Sequence, residues 1–343
     1  MSVSVRIRCA DRDVSVDLAV ADGETVAVMG PNGSGKSTLL ESIAGLVRPD
    51  SGEIRVGERG VTDLPAHRRA VGLLAQEPLL FPHLSVLDNV AFGPRSAGAS
   101  RGESREIARR WLTEVDALEF ANRSTRELSG GQAQRIALAR TLAADPQVVA
   151  LDEPLASLDP PVAASMRQLL KRVLVGRTAL LVTHDVLDAL MLADRVVVLE
   201  SGRVVEDGPT AQVLSQPRSA FAARLAGLNL VRGVWDGRQV GGIEGVVDGG
   251  ADGVADGVEP GAEAVAVFRP SAVAVYREHP TGSPRNVIAA TVTEIEPLDE
   301  RFRLRTDRFS ADLTAGAVAD LGLAPGEQVH LVVKASEVAV YPG

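Results

Sequence analysis

Cysteine is nearly absent from this chain. Cys9 stands alone among 343 residues, which excludes an internal disulfide and any cysteine-built zinc cage and fits a reducing compartment. Lysine is almost as scarce: Lys36, Lys171 and Lys334 are the whole set, and arginine supplies the rest of the 36 basic residues. A chain that writes positive charge as arginine keeps lysine where a compact ammonium suits the chemistry, so Lys36 and Lys334 draw notice. Lys171 falls on an ordinary helix face. Aromatic residues make up only 3%. No stretch approaches the ~18 uninterrupted apolar residues of a membrane span. The opening, MSVSVRIRCADRD, meets charge at once and lacks the apolar run of a secretory signal. A net charge of −9 argues against a nucleic-acid footprint over the whole surface, so no nucleic-acid partner is expected; a local anion site stays open.

What is present suits a folded protein of two domains. Hydrophobic residues reach 45% and charged residues 24%, ample for packed cores at a length beyond one ordinary domain. Apolar runs at 25–29, 148–151, 179–182 and 196–199 have strand length and β-branched content, and helical periodicity marks 37–46, 105–115, 131–142 and 163–173. That alternation reads as an α/β domain over residues 1–225. From about Gly227 glycine and valine rise and helical patterns give out. Residues 226–283 read as a linker with first strands, Gly/Asp-rich over 241–262, and 284–343 as a compact all-β module with alternating segments such as VIAATVTEI and VHLVVKA. The segment DGGADGVADGVEPG repeats Asp-Gly but lacks the ligand order of an EF-hand, which favours a flexible hairpin or linker over a calcium loop.

Gly30-Pro31-Asn32-Gly33-Ser34-Gly35-Lys36-Ser37-Thr38 carries the spacing G-x-x-x-x-G-K-[ST] between an apolar run and a helical pattern. Chance places those fixed positions in such a chain only about 3 times in 1,000. The glycines let successive N–H groups turn inward on phosphate oxygens, and the following helix adds its positive end. Lys36 supplies a point charge to the β- and γ-phosphates, and the Ser37 hydroxyl is placed to ligate Mg²⁺. A nucleoside triphosphate is the expected ligand. Ala150-Leu151-Asp152-Glu153-Pro154 closes a fully apolar run, as on a buried parallel strand. There Asp152 can hold magnesium through water and Glu153 can polarise an attacking water as general base.

A second anion site follows from Leu128-Ser129-Gly130-Gly131-Gln132, where Ser129 reads as the N-cap of a helix and the glycines leave its N–H groups open. With these residues the sequence resembles the nucleotide-binding subunit of an ATP-binding cassette (ABC) transporter, whose signature is LSGGQ. Gln76 matches that family's Q-loop glutamine, Ser157-Leu158-Asp159 its D-loop, and His184 its switch histidine. The resemblance implies an α/β P-loop NTPase, an ABC cassette with a helical subdomain, followed by a small all-β OB-like regulatory domain. It implies a homodimer packed head to tail, with ATP and Mg²⁺ between each P-loop and the other chain's Ser129, Gly130, Gly131, Gln132 and Asp159. It also implies catalysis by Glu153 with His184 and Gln76, and Mg²⁺ held by Ser37, Gln76 and Asp152. The family stacks an aromatic residue on adenine, yet Ser2–Val20 contains none, and an arginine plane such as Arg12 is the alternative. In the family the stretch EPLLFPHLSVLDNVAFG receives the permease's coupling helix; Phe81 and Phe92 equally suit a subdomain core.

The last third bears on cargo. Val267-Phe268-Arg269-Pro270-Ser271 resembles a strand motif of the regulatory domain on ABC importers. Ser283-Pro284-Arg285-Asn286-Val287-Ile288, with Lys334-Ala335-Ser336-Glu337-Val338 about fifty residues on, is similar to the two signature segments of the small molybdate-binding (Mop) module. That resemblance implies an oxyanion held by Ser283, Arg285, Asn286, Lys334 and Ser336, through charge-assisted bonds that replace its hydration. Pro284 removes one N–H donor beside Ser283. The implied protein is the ATPase subunit of a molybdate or tungstate importer, peripheral at the cytoplasmic face of the cell membrane. It would work with an integral membrane permease and, indirectly, an external molybdate-binding protein, and would take molybdate or tungstate as regulatory ligand. The alternatives are the ATPase of a sulfate, iron or sugar importer with a non-sensing β-domain, and a cytosolic oxyanion-storage protein.

Overall fold

The computed structural model describes residues 1–247, 258–282 and 284–343. Most of the Asp-Gly repeat, and Ser283 with it, lies outside the described residues. The chain divides into two compact units, Met1–Val213 and Leu214–Gly343.

In the first unit, β1 (Val3–Cys9) and β2 (Val14–Val20) bury every second side chain, the pattern of strands with one face on a core. The next strand, β3 (Thr25–Met29), is buried at all five positions and feeds α1 (Lys36–Ala44) through the glycine-rich turn. Strands β4 (Ser51–Val56) and β5 (Arg59–Gly60) complete an antiparallel sheet of order β2-β1-β4-β5. After β6 (Val71–Leu74), helices α2 (Val86–Ser96), α3 (Arg101–Glu114) and α4 (Gly130–Ala143) form a helical layer. The chain then alternates as β7 (Val148–Asp152), α5 (Pro160–Val173), β8 (Thr178–Val182), α6 (Val186–Leu192), β9 (Arg195–Glu200) and β10 (Arg203–Pro209). The main sheet has the order β10-β9-β3-β8-β7-β6, parallel except for β10. One core joins the antiparallel sheet, β3 and α1; another joins α2–α5 to the main sheet. Because β3, β7 and β8 are parallel neighbours or next neighbours, their carboxyl ends open on one edge, where ligand groups belong in such a sheet.

Helix α7 (Thr210–Ser215) crosses the division between units. The second unit contains α8 (Ala220–Leu225), β11 (Asn229–Val234), β12 (Gln239–Val240), β13 (Ile243–Glu244), β14 (Val246–Val247) and β15 (Glu263–Phe268). There follow β16 (Val273–Tyr276), β17 (Asn286–Leu298), β18 (Arg301–Thr306), β19 (Ala311–Thr314), α9 (Ala315–Leu321), β20 (Gln328–Val333) and β21 (Ala339–Pro342). The sheets run β11-β15-β21-β14 and β16-β20-β17-β18-β19, over one shared core. The unit begins ahead of residue 225, where composition places the change, because the Tyr341 hydroxyl donates to the Pro217 carbonyl at 2.8 Å and so ties that segment to the last strand. Nor is the C-terminal segment free of helix. Thr314 caps α9 by accepting from the Ala317 N–H, and Gly322, at φ 55°, ends it.

Candidate functional site

Sterics shape the phosphate turn. A Cβ at Gly30 would stand 2.1 Å from the Leu199 carbonyl oxygen, and one at Gly35 2.6 Å from a Val14 methyl, at φ 152° and 99°. Gly33, at φ 77°, faces open space. Lys36 is 7% exposed, and its Nζ donates to the carbonyls of Gly30 and Pro31, 2.9 Å each. Burial pushes its ammonium pKa down, against the pull of Glu153 and Asp152. Ser34 Oγ is buried with no hydrogen-bond partner among the described residues, a polar atom that a phosphate oxygen would satisfy. Pro31 and Asn32 form the exposed rim of the turn. Arg12 donates to Thr38 Oγ1 at 3.3 Å and to Glu41 at 2.9 Å, which sets its guanidinium beside the start of α1.

The carboxylates sit opposite, at the end of β7. Ser37 stands close enough to Asp152 to draw its carboxyl pKa down, yet burial first, and Glu153 second, hold that carboxyl above its ordinary range. A divalent cation between these two side chains fits both the donor set and the crowding of negative charge. Glu153 stands in the left-handed region at φ 45°, its N–H bonded to the Val182 carbonyl at 3.0 Å, which turns its side chain off the strand. His184 Nδ1 lies 3.7 Å from Glu153 Oε1. Behind the histidine, buried Asp188 accepts from Arg167 Nε at 2.7 Å and from the Thr183 hydroxyl at 3.0 Å, fixing the turn on which His184 rides.

The remaining cassette residues are placed but less enclosed. Ser129 caps α4 in a reciprocal box with Gln132: its hydroxyl accepts from the Gln132 N–H at 3.4 Å, and Gln132 Oε1 accepts from the Ser129 N–H at 3.0 Å. Ser129 and Gly130 are exposed. Asp159 is an exposed residue at the head of α5. Gln76 is exposed two residues past β6. The segment after it is gripped from α4: Arg140 donates to the carbonyls of Leu79 and Pro78 at 2.7 and 3.1 Å and stands 5.2 Å over the Phe81 ring. Phe81 packs on Phe92 with centroids 4.7 Å apart, and Phe92 stays 47% exposed. The sequence contained Arg140 and gave no reason to single it out.

Residues 14–156 match the ABC transporter family model, and 282–340 match the TOBE domain. The molybdenum import ATP-binding protein ModC of Mycobacterium tuberculosis (strain CDC 1551 / Oshkosh) is 48% identical over 99% of this chain and 97% of its own length. The chain belongs to the ABC transporter family. A second relative, the molybdate/tungstate import ATP-binding protein WtpC of Pyrococcus horikoshii, is 35% identical over 96% of this chain and 95% of its own. Among solved structures, the ATP-binding cassette MJ0796, a dimer in a post-hydrolysis state bound to ADP and Pi, aligns with a TM-score of 0.56 and 32% identity. It covers 61% of this chain and 99% of that one. As an ABC ATPase the chain binds ATP. No helix of the described residues is long and apolar enough to cross a membrane.

In the second unit of this ABC protein, the oxyanion set read from the sequence is only half assembled. Arg285 and Lys334 line one cleft of about 840 Å³. Asn286 is not with them. It is 1% exposed, and its side-chain amide pairs with both backbone groups of Glu244, accepting at 2.7 Å and donating at 2.9 Å. Those bonds satisfy its carbonyl and one amide hydrogen, so the residue acts as a strand surrogate for β13. Ser336 is exposed and lies off the cleft, although its neighbours Ala335 and Glu337 line it. Arg269, Ser271, Tyr276 and Thr281 line the cleft instead. The only signal for Arg269 and Ser271 was the segment that resembled a regulatory strand.

Proposed function

We propose that this chain is the ATP-hydrolysing subunit that energises import of molybdate or tungstate through a separate membrane permease, as a homodimer at the cytoplasmic face of the membrane. The observation that carries the reading is the 48% identity to a molybdenum importer's ATPase along both units, 99% of the chain, rather than along the cassette alone. ATP phosphates draw Lys36 off the carbonyls of Gly30 and Pro31 and take up the inward N–H groups of the turn. Ser37 and Asp152 are the residues that would hold Mg²⁺, which when bound neutralises charge on the β- and γ-phosphates. Glu153 accepts the proton of the attacking water, and His184, within 3.7 Å, orients that carboxylate. Ser129, Gly130 and Gly131 offer the open end of α4 to the nucleotide on a partner chain, which explains a second anion site in a chain with one P-loop. Gln76 and the Phe81 segment, tied to α4 by Arg140, face the permease and join its state to the signature helix.

The C-terminal unit is the sensor in this reading: Arg285 and Lys334 bind cytosolic oxyanion and restrain the cassettes. The test is reconstitution with the permease in vesicles. ATP-dependent accumulation of molybdate, lost in Glu153→Gln, is the expected result; accumulation of sulfate or ferric iron in its place removes the cargo assignment. Molybdate on the ATPase side should slow hydrolysis. An unchanged rate ends the sensor reading and leaves the ATPase intact.

A further inference from the structure

The cleft of the second unit is roomier than a tetrahedral anion needs, so the position of a ligand depends on where its donors converge. Register supplies that point. Val273 of β16 and Asn286 of β17 both pair with Val333 of β20, on its two sides. Continued one residue past the paired strands, that register sets Lys334 between Arg285 on one side and Ala272 on the other. Ala272 ends the short 3₁₀ turn Pro270–Ala272, which carries Ser271 and follows Arg269. Alternation sets the face: Val273, Val275 and Val333 are buried, whereas Ala274, Tyr276 and Lys334 are exposed and line the cleft.

Pairing distinguishes these cations from their neighbours. Arg277, Arg303 and Arg305 of the same unit each hold a carboxylate. The side chains of Arg269, Arg285 and Lys334 hold neither a carboxylate nor a hydrogen-bond partner among the described residues, so three unpaired cations line one cleft. Glu337 is the one carboxylate among the described residues that line it.

From this we infer a second arm to the anion site: Arg269 and Ser271, on the opposite side of Lys334 from Arg285, donate to the same bound oxyanion, and Glu337 weakens its binding. The inference rests on the reading of this unit as an oxyanion sensor and changes the donor set, with Arg269 and Ser271 in the places that the sequence assigned to Asn286 and Ser336. Arginine and hydroxyl together suit a fully deprotonated tetrahedral dianion, which can only accept hydrogen bonds. A carboxylate at the rim opposes such a ligand and favours none of its contacts.

Titration calorimetry of the full-length chain with sodium molybdate tests the arm, with melting curves of every variant alongside to show that each is folded. Arg269→Ala is expected to weaken binding at least tenfold, and Ser271→Ala several-fold, since each removes a hydrogen bond to a charged group. Arg269→Lys recovers part of the loss, and Glu337→Gln tightens binding. Arg308→Ala removes the same charge from an exposed position outside the cleft and leaves affinity at the wild-type value. If Arg269→Ala binds like wild type while Lys334→Ala does not, the arm is wrong and the sensor stands. Loss of affinity in Arg308→Ala equal to that in Arg269→Ala reduces the effect to net charge and overturns the arm. If the wild-type chain itself takes up no molybdate, the sensor reading and the arm fall together.

Discussion

In the cassette the charged groups of the site stand at the carboxyl ends of buried parallel strands, whereas in the C-terminal unit they stand just beyond the ends of antiparallel strands, around an open cleft. The two lysines show the consequence. Lys36 is buried, folded onto two carbonyls and depressed in pKa by burial; Lys334 is exposed, its ammonium without a partner among the described residues. The cassette holds its groups in place at a cost, with Glu153 at positive φ and a turn that admits no Cβ at Gly30. The C-terminal unit carries no such strain at Arg269, Arg285 or Lys334, and in the proposed reading a ligand gathers them. Substitutions in the first site should therefore disturb both chemistry and stability, and substitutions in the second should disturb binding alone.

The largest effect expected is on chemistry. Glu153→Gln should lower kcat about 10²–10⁴-fold, the range for loss of a general base, while ATP still drives dimer formation. Phosphate release and light scattering read the two separately. A variant that keeps wild-type turnover would move the base elsewhere. Next in size is stability behind the site. Asp188→Ala leaves the buried Arg167 with only the partly exposed Asp185, 3.5 Å away, and should cost about 3 kcal/mol by urea unfolding, whereas Lys334→Ala should stay within about 0.5 kcal/mol of wild type. Equal losses in the two would erase the contrast between the units.

How much of this was legible in the sequence follows the same division. The cassette motifs are contiguous: the P-loop, the Asp-Glu pair and the signature each write strand end, turn and helix start in consecutive residues, so their chemistry and their placement are read together. Helices at 37–46, 131–142 and 163–173 and the strand at 148–151 return almost unchanged as α1, α4, α5 and β7. Arg140 escaped notice because its partners, Pro78 and Leu79, are distant in the chain and offer only backbone carbonyls. The C-terminal donors are joined by register between β16, β20 and β17, and no local pattern reports register across sixty residues. Resemblance therefore grouped Asn286 with Arg285 and Lys334, although the structure buries Asn286 against Glu244 and lines one cleft with the other two. Asn286 sharpens the point. Asn286→Ala should destabilise the C-terminal unit by about 1–3 kcal/mol for the stranded Glu244 peptide groups, read as a lower melting temperature, and leave molybdate affinity intact below the transition. Loss of affinity without loss of stability would return Asn286 to the anion site.

The smallest expected effect carries the clearest sign. Burial and the neighbouring Glu153 hold the Asp152 carboxyl above its ordinary value, with Ser37 and Lys36 pulling the other way. The folded chain therefore binds that proton more tightly than the unfolded chain does. The penalty is absent below the ordinary carboxylate range, grows as the pH rises through it, and is complete once the pH passes the raised folded value. At neutral pH Asp152→Asn should remove the penalty and raise the melting temperature of the nucleotide-free chain by a few degrees, while abolishing hydrolysis. The gain should shrink as the pH is lowered toward the ordinary carboxylate range. A fall in melting temperature at neutral pH would mean that the pull of Ser37 and Lys36 outweighs burial. The cassette site would then be as relaxed without its ligand as the open cleft of the second unit.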